Sequence, residues 1–160
     1  MKNIKDKLTM LSQIAKELND KNATWAIGGS VLLYLKGVTS EFNDIDIMIA
    51  EEDVETVKEA LLSFGKIQAP NPNVEYKTKY FMEFLVDGVD IDVMAGFIIM
   101  DKGKECYFPL NKEHIKDFTE INGIKIPLQS LEEWRTFYQL MGRVEKVNMI
   151  DAWRQTSVCR

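Results

Sequence analysis

The stretch Thr24–Glu55, "TWAIGGSVLLYLKGVTSEFNDIDIMIAEEDVE", decides how this chain is read. Gly28, Gly29 and Ser30 interrupt an apolar run, and further on Asp44 and Asp46 alternate with Ile45, Ile47 and Ile49. Strict alternation predicts a β-strand, with the isoleucines toward the core and both carboxylates on the opposite face. Residues two apart on a strand are about 6.6–7 Å apart at Cα, so the two charges repel. Asp is also depleted in strands. A divalent cation removes the conflict, because oxygen ligands at this spacing suit one Mg²⁺ or a close pair of ions. A solvent-facing strand would tolerate the same acids, so an isolated D-x-D does not decide the matter. Just upstream, "ATWAIGG" predicts a strand that stops at glycine, and Ser30 is placed to cap a helix, "SVLLYLK", that Gly37 ends. Such a turn offers unhindered N–H groups and a hydroxyl to phosphate oxygens, although Gly-Gly-Ser also makes ordinary turns.

A second acidic strand strengthens the first. In "GVDIDVM", residues 88–94, Asp90 and Asp92 alternate with Ile91 and Val93 directly after Asp87-Gly88, a pair suited to a tight hairpin turn. Laid beside "DIDIM", this strand puts its carboxylates on the same face, which solubility alone does not explain. Side-chain alternation cannot choose between Asp90 and Asp92. Asp92 lies deeper in the strand, where an unpaired charge costs more, so it is the favoured third carboxylate and Asp90 the alternative. Rival readings fail on specific residues. An EF-hand loop begun at Asp44 would meet Met48 and Ile49 where it needs an oxygen ligand and glycine. The chain has no GxxxxGK[ST] and no GxGxxG. A glycosyltransferase D-x-D stays open as a reading, although those enzymes usually need a larger nucleotide-sugar domain than this chain supplies.

The rest of the chain frames these motifs. Ile4, Leu8, Leu11, Ala15 and Leu18 predict an amphipathic helix over residues 3–19. Val54, Val57, Leu61 and Phe64 predict another from Asp53 to Phe64. Residues 74–100 read as two or three strands, and "NGIKIPL" as one more. Ser130 and Glu133 form a capping box before a helix carrying Leu131, Trp134, Tyr138 and Met141, and a last helix runs to about Trp153, with "RQTSVCR" fraying. His114 reads as a surface residue, Lys77 and Lys79 as edge-strand charges, and Trp25, Trp134 and Trp153 as core. Arg143 and Lys146 could reach a phosphate, or line a solvated helix face paired with Glu145 or Asp151.

Composition sets bounds on function. The chain has 160 residues, 46% of them apolar and 28% charged, enough for one core with a small helical region. A net charge of -5 argues against wrapping nucleic acid by bulk electrostatics. Two cysteines, Cys106 and Cys159, and the single His114 leave no zinc-ligand set. No segment approaches a membrane span or a signal peptide, so the expected location is cytoplasmic with no membrane partner.

Gly29-Ser30 followed at this spacing by Asp44-Ile45-Asp46-Ile47 resembles the signature of the nucleotidyltransferase superfamily, which includes DNA polymerase β, CCA-adding enzymes and the antibiotic nucleotidyltransferases. The resemblance covers roughly residues 3–100, and the helical tail is similar to that of small bacterial and archaeal members. It implies an α/β (α+β) fold, a mixed twisted sheet flanked by helices, with a catalytic core over residues 1–126 and a C-terminal helical region over 127–160. It implies that Asp44, Asp46 and Asp92 hold two Mg²⁺ ions, with Mn²⁺ as the alternative. Gly28, Gly29 and Ser30, helped by Arg143 and Lys146, would bind a nucleoside triphosphate, ATP being favoured. The expected reaction moves a nucleoside monophosphate to a hydroxyl acceptor, on a small molecule, protein or RNA, and releases pyrophosphate. A homodimer would supply the missing wall of the acceptor cleft. The alternative is a non-catalytic nucleotide-binding or interaction module, such as one component of a toxin–antitoxin pair.

Overall fold

A computed structural model of the chain describes residues 2–70 and 77–158. The first helix, α1 (Ile4–Asp20), is capped by Asn3, whose side chain accepts from the Asp6 amide, and it buries Leu11, Ile14, Ala15 and Leu18. Then come β1 (Trp25–Gly28), α2 (Gly29–Leu35), β2 (Ile45–Ile49), a short 3₁₀ turn at Glu51–Asp53 and α3 (Val54–Leu62). The middle is all strand: β3 (Lys66–Ile67), β4 (Tyr80–Val86), β5 (Val89–Ala95), β6 (Phe97–Asp101) and β7 (Lys104–Phe108). After a 3₁₀ turn at Lys112–His114 follow β8 (Asp117–Ile121), β9 (Ile124–Leu128), α4 (Leu131–Leu140) and α5 (Val144–Val158).

Seven strands form one mixed sheet in the order β3-β4-β5-β2-β1-β9-β8, and β6 and β7 form a separate hairpin. β2 runs parallel to β5 and β1 parallel to β9, while the remaining neighbours are antiparallel. Ile45, Ile47 and Ile49 of β2 are fully buried, as the alternation requires, and so are Ile91 and Val93 of β5. Each fully buried side chain of this size contributes about 1.5–3 kcal/mol, which anchors the two acidic strands despite their carboxylates. Asp87 and Gly88 both take positive φ, 48° and 78°, closing the β4–β5 hairpin as the Asp-Gly pair predicts.

Helix α4 begins with the expected capping box: Ser130 accepts from the Glu133 amide, and the Glu133 carboxylate accepts from the Ser130 amide. It buries Trp134, Phe137 and Tyr138. Trp134 and Phe137 cluster with Phe97, their ring centroids 5.2–6.2 Å apart. This aromatic cluster fixes α4 beside the carboxylate-bearing strands.

Several expectations need correction. β9 runs through residue 126, so the helical region starts at Leu131 rather than 127. α5 continues to Val158, past the expected end at Trp153, and Cys159 and Arg160 lie outside the described residues. Residues 77–79 precede β4 rather than forming strand, and Lys79 pairs with Glu51. The expected strand from Val74 to Tyr76 falls outside the described residues. Trp153 is only half-buried, whereas Trp25 and Trp134 are core.

Candidate active site

The two acidic strands meet in register. Asp46 of β2 faces Asp92 of β5, which faces Glu83 of β4, while Gly28 of β1 faces Asp46 from the other side. The row Glu83, Asp92, Asp46, Gly28 thus crosses four neighbouring strands, with three carboxylates side by side. Asp44 lies one residue before β2, exposed at the mouth of the strand rather than within it. Asp90 lies outside the row: its carboxylate accepts from Gln68 Nε2 at 3.0 Å.

These carboxylates raise one another's proton affinity. Burial pushes Asp46 up to about 7, reinforced by the charges of Asp92 and Asp44. Asp92 is pushed up to about 6, again first by burial and then by Asp44, Glu83 and Asp90. Asp44 is raised by burial and by Asp90, against a lowering from Lys7. A site built this way is short of positive charge.

The row lies at a cleft of about 910 Å³, in the upper part of the range for ligand pockets. Asp44, Asp46 and Asp92 line it together with Ser30 and the segment Val38–Asn43. The aromatic wall comprises Phe81, Phe97, Trp134 and Tyr138, and the α4–α5 corner contributes Arg143 and Lys146. Burial and the neighbouring Asp46 raise the Tyr138 hydroxyl above its ordinary value. Arg143 Nε donates to Glu145 Oε1 at 2.7 Å and its guanidinium stands 5.8 Å from the Tyr138 ring centroid. Asp151 instead pairs with Arg135 at 2.7 Å. The ion-pairing reading of Arg143 therefore holds for Glu145, yet the residue still faces the cleft.

The glycine pair has a structural role that its sequence does not show. A Cβ on Gly28 would overlap the indole of Trp134, and one on Gly29 would overlap the carboxylate of Asp46. Gly29 also holds φ +60°, a conformation that L side chains rarely adopt. Neither glycine lines the cleft; Ser30 does. Nor does Ser30 cap α2: Gly28 is the N-cap, and Ser30 Oγ donates to the Asp44 carbonyl at 3.4 Å. His114, as expected, is exposed.

Sequence reasoning missed Glu83 and Lys7. Glu83 sits on β4, and only strand register reveals its place beside Asp92. Lys7 Nζ donates to the carbonyls of Phe42 and Asn43 at 3.2 and 3.1 Å, immediately before Asp44.

Among the described residues, no group of three His, Cys, Asp or Glu side chains is gathered to hold a metal ion by itself. The donor set still fits Mg²⁺. It consists of carboxylate oxygens whose mutual repulsion a cation would relieve, and Mg²⁺ uses one or two carboxylates with waters and substrate phosphates rather than a closed protein cage. Asp44 and Asp46 with Asp92 are the residues that would hold it.

This mixed sheet, with a D-x-D strand beside a second acidic strand, defines the nucleotidyltransferase class. A protein from Thermotoga maritima assigned as a nucleotidyltransferase superposes with a TM-score of 0.71 at 28% identity, over 94% of this chain and 93% of its own. The lincosamide antibiotic adenylyltransferase LnuA, solved with lincomycin bound, shares the fold at 16% identity and a TM-score of 0.61, covering 89% of this chain and 95% of that one. ANT(2'')-Ia, solved with adenylyl-2''-tobramycin, does so at 13% identity and a TM-score of 0.59, over 90% and 87%. No curated protein sequence matches the chain. The family model of aminoglycoside-2''-adenylyltransferase matches residues 10–153, and the chain belongs to that family.

Proposed function

We propose that the protein transfers a nucleoside monophosphate from a nucleoside triphosphate, ATP by preference, to a hydroxyl group of an antibiotic-like small molecule. The observation that carries this reading is the register of Asp46 against Asp92 in a cleft that also presents Asp44, Arg143 and Lys146. Mg²⁺, when bound, supplies positive charge to the triphosphate and to the oxygens entering and leaving the α-phosphorus. The chain's own residues do the remaining work. Asp44 and Asp46 face the phosphate groups, and Arg143 and Lys146 meet their outer oxygens from the α4–α5 corner. Ser30, the one residue of the Gly28–Ser30 turn that lines the cleft, would meet the same phosphates, while Gly28 and Gly29 make room for Trp134 and Asp46. Asp92 takes the proton of the acceptor hydroxyl, and a carboxyl held up to about 6 suits that task near neutral pH. The acceptor oxygen bonds to the α-phosphorus as the bond to the bridging oxygen breaks, and pyrophosphate leaves. Phe97, Trp134 and Tyr138 form an apolar wall that limits water in the cleft.

The test is pyrophosphate release from ATP and Mg²⁺ with aminoglycosides and lincosamides as acceptors, with mass spectrometry of the product. A nucleotidylated acceptor formed by the parent and not by Asp46→Asn supports the reading. Tight Mg²⁺-ATP binding with no turnover on any hydroxyl compound would favour a binding module instead.

A further inference from the structure

We infer that Lys7 is a positioning residue, an ammonium strap that holds the backbone delivering Asp44 into the cleft. The connection from α2 to β2 has no strand or helix ladder over residues 38–44, so its carbonyls depend on other partners. Lys7 Nζ, from α1, donates to the carbonyls of Phe42 at 3.2 Å and Asn43 at 3.1 Å. The next carbonyl, that of Asp44, accepts from Ser30 Oγ of α2 at 3.4 Å. Three consecutive carbonyls are therefore held by side chains from two helices. The bonds from Lys7 are charge-assisted and stronger than neutral ones.

The segment is clamped from the side as well. Phe42 is 4% exposed, meets Tyr34 edge-on with ring centroids 5.3 Å apart, and carries the Lys7 ammonium 5.5 Å from its ring centroid. Lys2 and Lys5, on the same helical end, are exposed, whereas Lys7 is half-buried. A lysine serving only solubility would keep its ammonium in water. This one spends its donors on the backbone next to Asp44, and its charge lies close enough to act on that carboxylate.

The inference rests on the proposed function only for what Asp44 would hold, so its test has two arms. Parent, Lys7→Met and Lys7→Arg are compared, methionine keeping much of the apolar stem while removing the ammonium. In the first arm, hydrogen exchange is followed at the amides of residues 43–46. Lys7→Met should exchange about tenfold faster there and nowhere in the β4–β5 hairpin, with Lys7→Arg restoring most of the protection. In the second, α,β-methylene-ATP binding is measured by calorimetry with and without Mg²⁺. Lys7→Met should lose about tenfold of the Mg²⁺-dependent gain with Mg²⁺-free affinity unchanged, and Lys7→Arg should recover it. Unchanged exchange at 43–46 overturns the strap. So does faster exchange with the Mg²⁺-dependent gain intact, or a loss spread over the whole chain. A parent with no Mg²⁺-dependent gain counts against the nucleotidyl-transfer reading, and the exchange arm then decides the strap by itself.

Discussion

Gly29 and Asp46 compete for the same space: the carboxylate of Asp46 lies where a side chain at position 29 would begin. The Gly-Gly pair is thus tied to the D-x-D strand by packing, not only by sequence spacing. Gly29→Ala must displace Asp46 and also adopt φ near +60°, a strain of roughly 1–3 kcal/mol. The expected loss in urea unfolding is at least that large. In an Asp46→Ala background the overlap with the carboxylate disappears, leaving the backbone part and a tight 3.1 Å approach to the Cβ of residue 46, so the cost of Gly29→Ala should shrink. Equal costs in both backgrounds would show that the two residues do not interfere.

The raised carboxyl groups predict an unusual pH dependence in metal-free buffer. Asp46 titrates near 7 when folded and near 3.9 when unfolded, so between those values the folded state binds more protons. Stability should therefore fall as pH rises from about 4 to 7, by at most about 4 kcal/mol from this group. Asp92, with a folded value of about 6, adds a smaller loss over a lower window, reduced by its partial exposure to solvent. Asp46→Asn should flatten the slope, and excess Mg²⁺ should flatten it in the parent. A parent that gains stability steadily from pH 4 to 7 would contradict the buried, mutually repelling carboxylates.

How much of this was legible in the sequence depended on the range of the interaction. The isoleucines of "DIDIMI", the Asp87-Gly88 turn and the Ser130–Glu133 box act over a few residues, and each formed as read. Strands β7 and β8 were missed because "KECYF" and "DFTEI" are short and rich in polar residues, with no fully buried position to mark a core face. The Asn122-Gly123 pair that closes β8 onto β9, with φ of 53° and 79°, was the available signal. Within the site, alternation put Asp46 and Asp92 on one face, but only pairing register brings Glu83 into the row. The packing of Trp134 on Gly28 joins distant parts of the chain, and no local pattern encodes it. Lys7 looked like any lysine on the polar side of an amphipathic helix.

At the α4–α5 corner, Lys146 and Arg143 should behave differently. Arg143 is already paired with Glu145 at 2.7 Å, so part of its charge is neutralised before any phosphate arrives. Lys146→Met should weaken ATP binding by about tenfold, a value typical of losing one charge-assisted contact. Glu145→Gln should leave binding unchanged or tighten it, because it frees Arg143. Calorimetry with α,β-methylene-ATP measures both. Weaker binding in Glu145→Gln would mean that the pair is needed to aim Arg143.

The third carboxylate gives the sharpest test of the site. Asp92 lines the cleft, faces Asp46 in register and is half-buried, whereas Asp90 is exposed and already accepts from Gln68. Asp92→Asn keeps the shape and removes the group that would accept the acceptor's proton, so transfer should fall by about 10²–10⁴-fold. Nucleotide binding should weaken far less, because Asp44, Asp46 and the α4–α5 corner remain. Asp90→Asn removes a charge that raises Asp44 and Asp92 but takes no group out of the cleft, so its rate should stay within a fewfold of the parent. Glu83→Gln separates two contributions at Asp92. If Glu83 acts only by holding the Asp92 carboxyl high, that variant should shift the acidic limb of the rate profile to lower pH with little change in the plateau. Pyrophosphate release across a pH series measures all three variants. An inactive Asp90→Asn beside an active Asp92→Asn would reverse the assignment, and full activity in both would remove a carboxylate base from the mechanism.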